Sequence, residues 1–446
     1  MSMEPGTTVF RGVRVFDGRT PALTGPSDVV VHGATIESVG PAVAEPGIEG
    51  RKARVIDGGG RVLMPGLIDA HWHATFAAVS VQVALTADPG YLHLVAGREA
   101  QRTLLRGFTS VRDAGGPAFA LKRAIDEGAI AGPRIYPSGA FITQTAGHGD
   151  FRMRHEVPRA CGTLSHGEVI GASAIADGVD QVLRAVREQL LLGASQIKVM
   201  AGGGIASPHD PIDVTQYTEA ELRAAVEAAE DWGTYVMVHA YTPRAIARSI
   251  RAGVRCIEHG HLADDPTAQL LAETETWWSL QPFLDDEDAH VIPDPAGRAK
   301  QLQVIAGTDN SYVLARKHGV KVAWGSDILF DASLAARQGR QLAKLTRWFT
   351  PAEVLASATS QNADLLALSG PRNPYPGRLG VVEPGALADL LLVDGDPIAD
   401  LELLADPGRS LLVIMKGGRI HKDLTRGAAG ADLPGAGAGA RFTREG

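Results

Sequence analysis

The chain of 446 residues has only two cysteines, Cys161 and Cys256. That excludes a disulfide framework and a cysteine-based zinc knuckle. No apolar run approaches the ~20 residues that a bilayer crossing needs. The opening MSMEPGTTVFRGVRVF lacks the charged-then-apolar order of a signal peptide. Basic excess is also missing, since 43 Lys and Arg face 51 Asp and Glu, for a formal net charge of -8. Nucleic acid and anionic membranes both reward a basic face, so neither is an expected partner. There is no Gly-x-Ser-x-Gly elbow and no Walker lysine motif, and the glycine runs at 58–60 and 202–204 are not G-x-G-x-x-G after a strand. A serine hydrolase and a nucleotide-binding protein are thereby disfavoured. These absences predict a reduced, cytoplasmic, soluble protein that acts on a small-molecule substrate.

The length suits a barrel of about 250–330 residues with a smaller domain beside it. Short alternating runs punctuated by glycine and proline fill the first 63 residues: VFRGVRVFDG, DVVVHGATIESVG and ARVIDGGGRVLMPG. The same texture returns in ADLLLVDGDP and SLLVIMKGGRIH. The expected organisation is a small β-domain from residues 1–63 and 380–425, a middle domain over 64–379, and a flexible, low-complexity tail at 426–446. The middle holds eight strand-like runs, at 66–73, 107–115, 134–142, 195–203, 234–241, 254–260, 276–283 and 321–328. Helical signals separate several of them. Thr218 and Glu221 form a capping box, Thr242 precedes Pro243 at a first helical position, and Thr350-Pro351 opens another helix. Eight strands alternating with helices fit either a parallel barrel or a doubly wound sheet.

The chemistry lies where the ligand-type residues fall. His71 and His73 are two apart at the end of the first run, and strand side chains two apart share a face. Lys198, His239, His259 and Asp327 each sit at or near the C-terminal end of a different run. In a barrel those ends converge on one face. A lone His-x-His or a lone Gly-Ser-Asp carries little weight, but six such residues at the ends of five strands point to a metal centre. Lys198 is the odd member. Its ammonium cannot ligate a cation, but a neutral amine takes up carbon dioxide to give an anionic carbamate with two oxygens. A buried structural lysine, or one that binds a substrate carboxylate, is the alternative.

The motifs PGLIDAHWH, IKVMAGGG, VMVHAYT, IEHGH and WGSDI resemble those of the amidohydrolase superfamily, in its imidazolonepropionase/Xaa-Pro-dipeptidase-like branch. The resemblance runs from the N-terminal strands through GVVEPGALADLLLVDGDP. It implies an α/β fold, a (β/α)8 TIM-like barrel with a small β-sandwich domain formed from both chain ends. It implies two divalent metal ions, with zinc the default for such ligands and cobalt, manganese or iron as substitutes. His71, His73 and Asp327 would hold one ion, and His239 and His259 the other. Lys198, carboxylated by carbon dioxide, would bridge them together with a hydroxide. The two cations would bring the pKa of that water from about 15.7 towards about 7. Asp327 would accept its proton and deliver it to the leaving nitrogen. His148 and Tyr241 are the implied polar contacts for the oxyanion. Similar proteins form homo-oligomers, so one is expected here.

Departures narrow the branch. Related deaminases carry a glutamate shortly after the fifth-strand histidine, where this chain reads HAYTPR, and imidazolonepropionases lack the lysine. The expected reaction is therefore hydrolysis of an amide-type C–N bond in a dipeptide or N-acyl amino acid. Urea, anilide or carbamate xenobiotics are the alternative, and a non-catalytic scaffold is the remote one. Arg152, Arg154 and Arg159, with His155, follow the third strand, either as a solvated loop or as a carboxylate clamp at the mouth. Residues 285–288 form an acidic run, expected as a solvated loop. Trp277, Trp278 and Phe283 would either line an apolar pocket or pack the barrel, and Trp72 would face away from the metals.

Overall fold

The structure, a computed structural model, describes residues 6–41, 53–157, 163–207 and 209–425. Arg159, Cys161 and the tail 426–446 lie outside the described residues. Both chain ends meet in one eight-stranded sheet. Its strands are β1 (Thr7–Val15), β2 (Ser27–His32), β3 (Thr35–Pro41), β4 (Ala53–Asp57) and β5 (Val62–Pro65) at the front of the chain, with β16 (Leu390–Val393), β17 (Leu411–Lys416) and β18 (Arg419–Asp423) at the back. The order is β18-β17-β16-β5-β1-β2-β3, with β4 also on β1. A register shift between Phe10 and Val13 lets the two halves of β1 serve different neighbours. The first half pairs with β2 and β4; past the shift Val13 still meets Ser27 of β2, and Arg14 and Val15 pair with β5. Gly12, at φ 63°, supplies the left-handed backbone that this bulge needs. The two halves bury one core, to which Phe10, Val29, Ile56, Leu390 and Met415 all contribute.

Between these ends run two parallel sheets. Strands β6 (Leu67–Trp72), β7 (Phe108–Asp113) and β8 (Arg134–Pro137) form one. The other has the order β10-β9-β11-β12-β13-β14-β15, built from β9 (Phe141–Thr143), β10 (Ser173–Ile175), β11 (Ile197–Met200), β12 (Val236–Ala240), β13 (Cys256–His259), β14 (Trp277–Leu280) and β15 (Val322–Trp324). The expected third strand, 134–142, is thus broken into β8 and β9. Gly139 at φ 75° makes the break, and a Cβ there would meet the Gln189 side chain at 2.3 Å. Strand β10 was not among the expected runs.

The sheets also touch at their edges. Ser195 N–H donates to the Pro137 carbonyl at 2.8 Å, and Asp327 N–H to the His71 carbonyl at 2.8 Å. Asn362 donates from Nδ2 to the carbonyls of both Ile68 and Trp324. Ala70, Tyr235, Met237, Cys256, Trp277 and Ala323, from five different strands, pack into one shared interior cluster.

Helices cover the outer faces. Glu219–Asp231 begins with the expected capping box at Thr218/Glu221, and Pro351–Ala356, the helix expected after Thr350, begins with a second one at Thr350/Glu353. Thr242 sits at the N-cap of Pro243–Arg251, but its side chain caps nothing. Arg134, bidentate to Asp389 at 3.0 Å on each arm, straps β8 to the β-domain. Among the described residues no helix is long and apolar enough to cross a membrane.

Candidate metal centre

His71, His73, Lys198, His239, His259 and Asp327 all line one cavity of about 200 Å³. Alternation explains four of them. His71 and His73 reach the same carboxylate, with Nε2 atoms 3.2 and 3.3 Å from Asp327 Oδ1. Trp72, between them, turns outward into a cluster with Ala96, Ala100 and Leu121. Lys198 on β11 and His239 on β12 also follow the period of two.

His259 and Asp327 do not. On β13, Cys256 and Glu258 take the inward face, so regular pleating would send His259 outward. Its φ of 71° swings the ring back, and Trp278 Nε1 holds the turn by donating to the His259 carbonyl at 2.7 Å. Asp327 is bent the same way, at φ 52°. A Cβ on nearby Gly325 would fall 2.3 Å from that of His71, so only glycine lets this turn approach β6. Left-handed backbone outside glycine costs on the order of 1–2 kcal/mol per residue, and the surrounding packing must impose it.

Each histidine has one ring nitrogen bound to an oxygen that only accepts. His71 Nδ1 lies 2.6 Å from Glu258 Oε2, His73 Nδ1 3.0 Å from the Gly115 carbonyl, His239 Nε2 3.0 Å from the Gly203 carbonyl, and His259 Nδ1 2.8 Å from Gln281 Oε1. Those nitrogens carry the protons. In the neutral ring the other nitrogen keeps its lone pair for the cavity, which is how carboxylates and carbonyls set the tautomer of ligating histidines. His71, His259 and Asp327 offer ligand atoms within 4.8 Å of one another. The tilted rings of His71 and His259 have centroids 4.9 Å apart, and those of His239 and His259 lie 4.6 Å apart.

Burial sets the charge states. It pushes His239 and His259 well below the usual histidine range, for His259 against the pull of Asp327, so both rings are neutral. It would raise the Asp327 carboxyl, but the imidazoles of His71 and His259 outweigh it and hold that group well below the carboxylate range. Burial also lowers the Lys198 ammonium, against the pull of Glu258 and Asp327.

His148 and Tyr241 flank the centre as expected. His148 stacks on His239 at 4.3 Å with its Nδ1 3.2 Å from Asp210 Oδ2, and the Tyr241 ring lies 4.9 Å from that of His239. The loop arginines play another part. Arg152 is buried and bidentate to Asp150, at 2.7 and 2.6 Å, and Arg154 is exposed on a short turn. Among the described residues no arginine lines the cavity.

The acidic run is solvated at Asp285, Asp286 and Glu287, as expected, but not at Asp288. Asp285 pairs with Arg298, Asp286 with Lys344, and Glu287 with Arg340, while Asp288 is buried between Arg337 and Arg340 and reaches the cavity wall. Those partners lie far along the chain, so local composition could not reveal them. Of the three seventh-strand aromatics only Phe283 lines the cavity. Trp277 packs in the interior cluster and Trp278 against the outer helices.

Sequence reasoning passed over the residues behind these. Glu258 accepts from Arg112 Nη2 at 2.7 Å and from Cys256 Sγ at 3.0 Å, and all three groups are buried. Asp113, its carboxyl pushed by burial to about 6, accepts the backbone N–H of Ala74 next to His73. Glu258 stands inside the quoted IEHGH motif, one place from a candidate ligand. The signal was a carboxylate in a run otherwise apolar enough to be core.

A profile of the Amidohydrolase family matches residues 62–420. The chain is 32% identical over 397 residues to the ochratoxinase of Aspergillus niger, across 83% of this chain and 78% of that one. Among solved structures it is 37% identical to a prolidase complexed with N-methylphosphonate-L-proline, with a TM-score of 0.85, covering 94% of this chain and 100% of that one. A Xaa-Pro dipeptidase with bound methionine is 27% identical, with a TM-score of 0.79, covering 94% and 100%. Such neighbours imply a (β/α)8 barrel with a β-domain beside it. The match spans most of the sequence, and the fold agrees over nearly all of it: the chain belongs to the amidohydrolase family.

Proposed function

We propose that the protein is a binuclear metal-dependent hydrolase that cleaves an amide-type C–N bond in a dipeptide or N-acyl amino acid. One observation carries the reading. Four imidazoles with their outer nitrogens pinned, one ionised carboxylate and one buried lysine surround a single cavity. That donor set fits divalent cations, because imidazole nitrogens and carboxylate oxygens are their usual ligands and the outer ring nitrogens are already held by oxygens. His71, His73 and Asp327 would hold one ion, His239 and His259 the other, and Lys198 would bridge as its carbamate. Burial, which lowers the amine, also favours the neutral form that reacts with carbon dioxide. Bound there, the ions would supply Lewis acidity and water activation at neutral pH. The Asp327 carboxylate then accepts the proton of the attacking water and returns it to the leaving nitrogen. Tyr241 and His148 contact the developing oxyanion. We read the two parallel sheets as one closed barrel, whose edge contacts bring β15 and β6 together at the centre.

Kinship with a prolidase and a Xaa-Pro dipeptidase supports the dipeptide reading. A second reading, N-aryl amides, ureas or carbamates, is favoured by the wall. It is lined by Phe141, Phe151, Phe283 and Phe330 and by no arginine among the described residues.

The test combines metal analysis with turnover of dipeptides, N-acyl amino acids, anilides and N-aryl ureas. Wild type should carry two divalent ions per chain and hydrolyse at least one class. Asp327→Asn should lose about 10²–10⁴ in kcat while keeping substantial metal, and near-wild-type turnover would sink the proton-transfer role. Lys198→Ala should lose the second ion, and full double occupancy would rule out the bridge. A wild type that binds no metal and hydrolyses nothing overturns the whole reading.

A further inference from the structure

Beside the centre, three backbone carbonyls converge on one ammonium. Lys300, half-buried on the helix Pro295–His318, places Nζ 3.3 Å from the Gly204 oxygen, 3.0 Å from that of Ser207 and 2.6 Å from that of Asp210. An ammonium has three donors. All are directed at the loop after β11.

The same loop presents the Asp210 carboxylate. Its Oδ2 accepts from Gly204 N–H at 2.8 Å and from Gln216 Nε2 at 3.3 Å, and lies 3.2 Å from His148 Nδ1. Gln216 Oε1 in turn accepts the backbone N–H of His148 at 2.9 Å. Gly204 comes so close that a Cβ there would meet the His148 ring at 2.0 Å. The ring is thus gripped by the loop on one side and stacked on His239 on the other.

The next residue on the helix holds the opposite rim. Gln301 donates from Nε2 to the His290 carbonyl at 2.6 Å, and its Oε1 accepts from Ile292 N–H at 3.3 Å. Both His290 and Ile292 line the cavity.

We propose that Lys300 is a positioning residue, acting through Asp210 to fix the His148 ring at the cavity and, with Gln301, coupling that ring to the opposite rim. Val304 and Ile305, one turn on, already supply apolar contact with the cavity. A directional, triply bonded charge adds what apolar packing does not, a set position for the loop carbonyls and hence for the carboxylate behind the imidazole. The kinetic consequence rests on the amide-hydrolase reading, whereas the structural one does not.

The experiment uses full-length, metal-loaded protein in five forms: wild type, Lys300→Met, Lys300→Arg, His148→Ala and the double variant His148→Ala/Lys300→Met. Hydrogen exchange of the Gly204 amide and turnover of the best substrate in the panel are read together. Lys300→Met should speed Gly204 exchange at least tenfold and lower kcat about 10–100-fold with metal content unchanged. Lys300→Arg should restore most of both, because a guanidinium also donates to several carbonyls. In the His148→Ala background the added Lys300→Met should change kcat by less than about twofold, the mark of two residues acting through one path.

Equal losses in both backgrounds, or unchanged Gly204 exchange, overturn the proposal. If wild type hydrolyses none of the panel, the enzymatic reading fails by itself. Gly204 exchange then decides the clamp alone: faster exchange in Lys300→Met upholds it, and unchanged exchange refutes it.

Discussion

Beneath the centre and along its rim the protein uses the same chemistry, a carboxylate against a cation, in opposite surroundings. Below, Arg112 and Glu258 are fully buried 2.7 Å apart, and the second oxygen of Glu258 is spent on His71. Burial would raise the Glu258 carboxyl, yet Arg112 and His71 hold it well below the usual range. At the rim, residues 285–288 pair with arginines and a lysine, but Glu287 is mostly in water and Arg340 partly so, at 78% and 43% side-chain exposure. Coulomb attraction is screened there and largely offset by the entropy of two long side chains. The geometry of the two pairs differs little. What separates them is how much solvent stands ready to replace a lost partner, so the lower pair can hold a ring in place and the upper one cannot.

That contrast can be broken at its strong end first. Glu258→Gln should leave Arg112 buried without a counter-charge, at a cost of about 3–5 kcal/mol. It should also weaken metal retention about 10–100-fold, because His71 loses the acceptor that fixes its ring. Urea unfolding and chelator competition measure the two effects. Wild-type values in both would show that this pair supports nothing.

A third kind of buried group sharpens the comparison. His421, in the β-domain, is pushed down to about 4 by burial and by Lys416 and Arg419, with only Asp389 opposing. It is neutral when folded, whereas the unfolded chain takes up its proton near pH 6.5. Between about pH 6.5 and 4 the unfolded state therefore binds more protons, and stability falls as the solution is acidified. His421→Gln should flatten the slope of unfolding free energy against pH in that window by up to about one proton. An unaltered slope would mean that the ring is solvated. The weakest end is Glu287→Ala, expected within about 0.5 kcal/mol of wild type by the same unfolding measurement. A loss above about 2 kcal/mol would erase the distinction between rim and base.

The residues differ in how far their places could be read from the letters. His71, His73, Lys198 and His239 follow the period of two, so their convergence on one cavity was legible from spacing. His259 and Asp327 enter through left-handed turns, and pleating alone would have misdirected His259. Their place at the ends of strand-like runs singled them out, and the likeness of IEHGH and WGSDI to known motifs added to it. Arg112, Gln281 and Asp210 were invisible because what they hold lies 22 to 146 residues away. The broken third strand escaped for the opposite reason, since one glycine with φ of 75° splits a run whose composition is continuous. In the acidic run, charge density rightly suggested water for Asp285, Asp286 and Glu287, but it could not show that Asp288 is buried between distant arginines.

The backward bend of the chain at His259 and Asp327 has a consequence for anyone who would make this protein hardier. Both positions would relax as glycine, so a search that scores thermal endurance alone is drawn towards discarding the very groups the proposed chemistry needs. Robustness is better sought in the strap between β8 and the β-domain, where rigidity and turnover do not compete.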